Sequence, residues 1–134
     1  MERVFELEAK SEVLRGLRRE LRLLLGDAGW NQKATEEIVL ALDEALTNVI
    51  RHAYSGKSGP MKVVFRDFPD RTELTVEDRG ARFDPTRIPE PKLPREKPGG
   101  LGVYFIKKIM DEMIYDDSFI QGNRLYMIKR KTTS

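Results

Sequence analysis

The chain has 134 residues, a length typical of a single domain with one hydrophobic core. It contains no cysteine, which excludes disulfides, thiolate metal sites and cysteine nucleophiles, and it has no apolar run near the ~20 residues that cross a bilayer. Its 24 basic and 22 acidic residues are interleaved and leave a net charge of +2, so the sequence disfavours both a nucleic-acid and a membrane partner.

The N-terminal half of the chain is predicted to form one strand and two helices. It opens with the charged segment MERVFELEAK in place of an apolar signal core, so we expect one cytoplasmic domain over residues 1–134. Val4–Ala9 alternates apolar and polar residues, as a half-buried strand does. Ser11 offers an N-cap before leucines at helical spacing, and a longer helical pattern covers Thr35–Tyr54.

The second half is predicted to contain a hairpin, a loop, a helix and a final pair of strands. The hairpin strands are Met61–Phe68 and Thr72–Asp78, and the loop is Arg79–Gly99. The helix is Gly100–Met113, and the final strands are Met113–Phe119 and Arg124–Lys131. The loop lacks periodicity and holds five of the seven prolines, and a loop this long in a small domain is usually functional or disordered. Because strands mostly follow strands, we predict an α+β fold. It is a two-layer sandwich with a mixed, mostly antiparallel sheet and about three helices on one face.

The second helix carries polar residues at helical spacing opposite its apolar face. Glu44 lies about opposite the apolar stripe, and Asn48 and His52 follow it at successive i+4 steps. A solvated polar face is the simpler interpretation of this pattern. However, Leu40 and Thr47 lie on the same side, so part of this face is predicted to be covered.

Two further patterns have both a structural and a functional interpretation. Asp78 lies at the end of a strand and is followed by Gly80, so its carboxylate could accept a hydrogen bond from a buried amine or form an ordinary Asp-x-Gly turn. The segment that starts at Lys97, KPGGLGV, opens a helix. Its glycines could let backbone N–H groups approach an anion, or could simply interrupt a loop.

Taken together, the order and spacing of these patterns resemble a known family. Glu44-x-x-x-Asn48, Asp78-x-Gly80 and the GGLG segment that follows the long loop resemble the N, G1 and G2 boxes of the GHKL (Bergerat-fold) ATPases. The resemblance extends from Val4 to about residue 129. Within that superfamily, DEALTNVIRHAY, DRGARFDP and GGLGVYFIKKIMDEM are most similar to the anti-sigma-factor serine/threonine kinases of the SpoIIAB/RsbW type.

The resemblance implies that the chain binds ATP with Mg²⁺. It implies that Glu44 is the general base and that Asn48 is a Mg²⁺ ligand, since Mg²⁺ takes oxygen ligands. It implies that Asp78 accepts a hydrogen bond from the adenine amine and that Gly80 lets the base approach the backbone.

The resemblance also implies a phosphate-binding lid over residues 79–99. The backbone of Gly99, Gly100, Leu101 and Gly102 would hold the phosphates. Arg95 and Lys97 are both candidates for contact with the γ-phosphate, and their spacing does not choose between them.

Two positions depart from the family pattern. Arg82 replaces the second glycine that is frequent in the G1 box, so the first turn of the lid is expected to differ. A threonine common on the last strands is replaced near Asn123-Arg124, which removes one expected contact beside the adenine.

The family implies a sigma factor and a STAS-domain anti-anti-sigma protein as partners, and a homodimer. The alternative is a non-catalytic, ATP-dependent protein-binding module of the same fold, which would need Asn48 and Asp78 but no base. A histidine kinase is disfavoured because the one histidine, His52, lies within the N-box helix. A water-using ATPase of the topoisomerase or chaperone kind would need further domains.

Overall fold

The computed structural model describes residues 1–87 and 101–132. The strands and helices in this part of the chain are β1 (Glu2–Glu8), α1 (Leu14–Asp27), α2 (Gln32–Asn48), β2 (Pro60–Asp67), β3 (Arg71–Asp78), α3 (Leu101–Ile109), β4 (Glu112–Tyr115) and β5 (Asn123–Arg130). Short 3-10 turns lie at Ser11–Val13 and Pro85–Arg87, and a π-helical turn at Val49–Ala53 extends α2.

The strands form one sheet in the order β1-β2-β3-β5-β4. Every neighbouring pair in it is antiparallel, so the predicted α+β class is confirmed and the sheet is more regular than the predicted mixed one. β3 lies at the centre, and its last residue, Asp78, pairs with Asn123, the first residue of β5. This register brings together two segments that are far apart in the sequence.

The helices pack on one face of the sheet because their apolar stripes meet the apolar side of the strands. The side chains at the centre of this core are fully or almost fully buried and come from both layers; they include Leu21, Leu25, Ile38, Leu42, Leu46, Val63, Phe65, Leu74, Ile106 and Met127. The opposite face carries charged side chains such as Lys62, Glu77 and Arg124. Within the described residues, no helix is both long enough and apolar enough to span a membrane.

The start of α2 is fixed by a side-chain cap. Asn31 precedes the helix in an extended conformation, and its side chain accepts a hydrogen bond from the backbone N–H of Ala34 at 2.8 Å. This cap satisfies one of the N–H groups that a helix start leaves unpaired. The helix therefore begins at Gln32, three residues before the predicted Thr35.

The boundary between α3 and β4 lies earlier than the sequence predicts. The helical pattern continues to Met113 and the predicted strand covers Met113–Phe119, but the helix ends at Ile109. The N–H of Asp111 donates to the carbonyl of Ile128 at 2.8 Å, so the chain has already joined the sheet at that point. The predicted boundary is wrong because strand pairing, which is a tertiary contact, overrides the local helical pattern.

Candidate active site

A small cavity with about 20 Å³ of free space opens where the end of β3 meets the second half of α2. Its walls are mostly apolar and include Val49, Val76 and Leu125. Four residues with polar side-chain atoms also line it, namely Asn48, Asp78, Tyr115 and Asn123. An apolar cavity with a few convergent polar groups is the usual form of a small-molecule site.

Asp78 is the carboxylate on the cavity wall, and it is only 2% exposed. Its Oδ1 accepts hydrogen bonds from the N–H of Gly80 and from Nδ2 of Asn123, both at 2.9 Å. Burial raises the pKa of Asp78 above its usual range, and the hydrogen bonds from Asn123 and Gly80 partly offset that rise. The group is therefore a buried, hydrogen-bonded acceptor and not an ordinary turn aspartate on the surface.

Gly80 lies where the backbone of the G1 segment crosses the end of α2. A Cβ at this position would be 2.4 Å from the carbonyl oxygen of Ala53, which also accepts the N–H of Ala81 at 2.8 Å. No rotamer change relieves a clash with backbone. Glycine is thus required for the close approach of these two segments.

Replacement of Gly80 by alanine should therefore destabilise the fold by about 1–3 kcal/mol, the usual cost of overpacking. Urea denaturation measures this free energy. Gly16→Ala in α1 is the matched control, since its Cβ would meet nothing within 4 Å and alanine favours a helix. If the two variants unfold at the same urea concentration, the backbone of Ala53 does not exclude a side chain at position 80.

Asn48 ends α2 one helical turn after Glu44 and lines the cavity. Among the described residues, its Nδ2 is buried without a hydrogen-bond partner. A buried amide with an unpaired end is unusual in a folded protein and marks a group that a ligand could satisfy.

Glu44 is half-buried at the junction of α2 and α3. Its Oε2 would be 2.3 Å from a Cβ at position 102, so the absence of a side chain at Gly102 leaves room for the carboxylate. The structure therefore brings the predicted base beside the first turn of α3, which contains the end of the predicted G2 box.

The phosphate side of the predicted site is described only in part. Arg95, Lys97, Gly99 and Gly100 lie outside the described residues, as does most of the predicted lid. Leu101 is the first residue of α3. The roles predicted for these residues stay predictions.

Sequence reasoning assigned no role to several residues around the cavity. Phe83 lines it and stacks on His52, with 4.4 Å between the ring centroids. Burial of the ring, and secondarily the charge of Arg51, lower the pKa of His52. Tyr115 also lines the cavity. These residues have no shared spacing in the sequence that could have identified them.

Arg82, the first departure from the family motif, has a structural role in this chain. Its guanidinium donates to the carbonyl oxygens of Phe119 and Gly122, and its charged end lies 5.2 Å from the centre of the Tyr115 ring. Ser55 is the non-glycine residue with a positive φ in the described ranges, so Arg82 needs no glycine-like backbone. The side chain instead ties this loop to the β4–β5 connection.

Comparisons with known proteins agree on one family. A family model described as a histidine kinase-like ATPase domain matches residues 7–129. Serine-protein kinase RsbW from Bacillus licheniformis is 33% identical over 114 residues, which cover 78% of this chain and 71% of the relative. RsbW from Listeria innocua is 31% identical over 123 residues, which cover 84% and 78%.

A solved structure has a similar fold. The crystal structure of the RsbU and RsbW domains of a Mycobacterium tuberculosis protein matches with a TM-score of 0.70 and 19% sequence identity. The match covers 97% of this chain but 32% of that longer chain. At this identity the likeness concerns the fold alone.

Proposed function

This chain belongs to the family of histidine kinase-like ATPase domains, and within that family to the RsbW-type serine-protein kinases. We propose that it transfers the γ-phosphate of ATP to a partner protein. The acceptor is a serine or threonine hydroxyl. The observation that carries the proposal is the apolar cavity with two polar groups on its walls. These are the buried carboxylate of Asp78 and the Asn48 Nδ2, which has no hydrogen-bond partner among the described residues.

In this proposal the adenine binds at the cavity, which has to widen to admit it because its free space of about 20 Å³ is smaller than a base. Its apolar walls suit a flat aromatic base, and Asp78 accepts a hydrogen bond from the exocyclic amine of adenine. Guanine carries an oxygen at that position, so a carboxylate there repels it. The site thereby selects ATP over GTP.

A magnesium ion would rely mainly on the nucleotide. Within residues 1–87 and 101–132, no group of three or more histidine, aspartate or glutamate side chains could hold a metal. The side-chain oxygen of Asn48 would be the one protein ligand, because Mg²⁺ takes oxygen ligands, typically keeps several waters and binds substrate phosphates. When bound, the ion would neutralise charge on the phosphates.

Glu44 is the general base in this mechanism. The hydroxyl oxygen of the partner attacks the γ-phosphorus, the bond from that phosphorus to the β,γ-bridging oxygen breaks, and the hydroxyl proton passes to the Glu44 carboxylate. The position of Glu44 against Gly102 supports this role, because it keeps the carboxylate beside the segment that leads to the phosphates.

We extend the proposal to partners by the family resemblance. The phosphorylated protein is a STAS-domain anti-anti-sigma protein, a sigma factor is sequestered, and the kinase acts as a homodimer in the cytoplasm. The alternative is a module that binds ATP and a partner without transferring phosphate. Glu44 favours the kinase, since a binding module has no use for a base.

Incubation with γ-labelled ATP, Mg²⁺ and a purified STAS-domain protein tests the proposal. We expect label on the partner that resists acid, as phosphoserine and phosphothreonine do, whereas phosphohistidine is lost in acid. If ATP binds but no partner becomes labelled, the binding module is the correct description. If ATP does not bind, the proposed site is wrong.

A further inference from the structure

The side chain of Asn123 makes four hydrogen bonds at the edge of the cavity. It is buried at the start of β5, opposite Asp78. Its Nδ2 donates to Asp78 Oδ1 at 2.9 Å and to the carbonyl of Ala81 at 2.8 Å. Its Oδ1 accepts the N–H of Phe83 at 2.8 Å and the hydroxyl of Tyr115 at 2.5 Å.

These contacts fix which end of the amide is which. The N–H of Phe83 can only donate and the carbonyl of Ala81 can only accept, so the oxygen must face Phe83 and the nitrogen must face Ala81. The nitrogen then necessarily donates to Asp78 as well.

The same contacts leave Asn123 nothing with which to bind a ligand. An asparagine side chain has two N–H donors and two oxygen lone pairs, and all four are used within the protein. Although Asn123 lines the cavity, it cannot hydrogen-bond a nucleotide without breaking one of these bonds.

The contacts determine how Asp78 meets a ligand. Its Oδ1 accepts the hydrogen bonds from Asn123 Nδ2 and from the N–H of Gly80, and the backbone N–H of Asn123 also interacts with the carboxylate. The other oxygen, Oδ2, receives neither of the two bonds to Oδ1, so it is the acceptor that we assign to a group in the cavity. Two donors on one oxygen also restrict rotation of the carboxylate.

We propose that Asn123 is a positioning residue for nucleotide selection. It holds Asp78 so that Oδ2 can accept a hydrogen bond from the base, and it links the Asp78 carboxylate to the loop at Ala81 and Phe83. Tyr115 supports it by donating to the Asn123 amide oxygen. The inference rests on the proposed function and deepens it, because it names a residue that determines specificity without touching the base.

Other side chains cannot reproduce this set of contacts. Aspartate at position 123 would place oxygens against the carbonyl of Ala81 and the carboxylate of Asp78, which both require a donor. Threonine offers one donor where Asn123 uses two. Alanine removes all four hydrogen bonds of the amide, and Asp78 Oδ1 keeps the one from the N–H of Gly80.

The test compares ATP and GTP affinities of the full chain by calorimetry. Asn123→Ala should lower the ratio of ATP to GTP affinity by about tenfold, as expected for loss of a hydrogen bond to a charged group. A merely structural loss would weaken both nucleotides equally and leave the ratio unchanged. Asn31→Ala is the matched control, because it removes the cap of α2, far from the cavity, and should leave the ratio alone.

A milder variant covers the case in which Asn123→Ala does not fold. Tyr115→Phe removes only the hydroxyl that supports the amide, and we expect it to lower the ratio about threefold. Tyr126→Phe removes a hydroxyl on the same sheet outside the cavity and serves as its control.

The outcomes separate this inference from the proposed function. If Asp78→Asn lowers the ratio but Asn123→Ala and Tyr115→Phe do not, Asn123 is not a positioning residue and the inference is overturned. If Asp78→Asn also leaves the ratio unchanged, the base is not read at Asp78 and both the inference and the proposed adenine site fail.

Discussion

Replacing Glu44 by glutamine should leave ATP bound but lower the rate of phosphotransfer by about 10²–10⁴-fold, the usual contribution of a general base. Glutamine has nearly the same size and can still form hydrogen bonds, but it cannot accept the proton of the attacking hydroxyl. The carboxylate lies beside Gly102, where glutamine also fits, so the fold should not change. Affinity by calorimetry and single-turnover transfer to a STAS-domain protein should be measured on the same samples.

Two further variants make this result specific. Glu37→Gln makes the same chemical change two helical turns earlier on α2 and should transfer phosphate at the parent rate. Asn48→Ala should instead weaken nucleotide binding itself, since its amide lines the cavity. If Glu44→Gln transfers phosphate as fast as the parent, Glu44 is not the base and the catalytic assignment is lost.

The sequence predicted the helices and strands well where their periodicity is strong. The leucine stripe of α1 and the alternation of β1 each extend over several residues, so local pattern and final structure agree. The α3–β4 boundary was missed because the apolar run continues past Ile109 and does not reveal that the N–H of Asp111 pairs with Ile128. That pairing depends on a strand elsewhere in the chain.

The candidate site divides in the same way. Glu44 and Asn48 are one helical turn apart, and Asp78 and Gly80 share one turn, so short motifs are sufficient to predict them as candidate site residues. Asn123 contacts Asp78 across 45 positions of sequence, and no local pattern predicts that contact. The one feature of the sequence that pointed to Asn123 was the replacement of a threonine that is common in the family. It indicated the position but not the hydrogen bonds that the amide makes.

Asp78→Asn should reduce the affinity for ATP by about 1–3 kcal/mol, or about 5- to 150-fold. Asparagine can keep its Oδ1 on the two donors from Gly80 and Asn123, which leaves its NH₂ facing the cavity. That group opposes the amine of adenine but can donate to the oxygen of guanine. We therefore expect GTP binding to be retained or improved, and calorimetry with both nucleotides measures the change.

The same variant should be at least as stable as the parent near neutral pH when no nucleotide is present. Burial raises the pKa of Asp78 above 3.8, so the native state favours the protonated form. Protonated Asp78 therefore contributes to the free energy of unfolding, and this contribution is fully present below pH 3.8. It is lost as the pH rises through the higher native pKa, so ionised Asp78 lowers stability at pH 7. Asparagine is never ionised, and the advantage of Asp78→Asn should shrink as the pH falls toward 4.

Urea denaturation at pH 7 and pH 4 measures this difference in the free energy of unfolding. Glu77→Gln is the matched control, because Glu77 precedes Asp78 on β3 but pairs with Arg124 at 2.7 Å and does not line the cavity. It should change neither nucleotide preference nor the sign of the pH effect. An Asp78→Asn chain that is less stable than the parent at pH 7 would mean that the donors from Asn123 and Gly80 outweigh the cost of burial. The conclusion that ionised Asp78 lowers the stability of the fold at pH 7 would then be refuted.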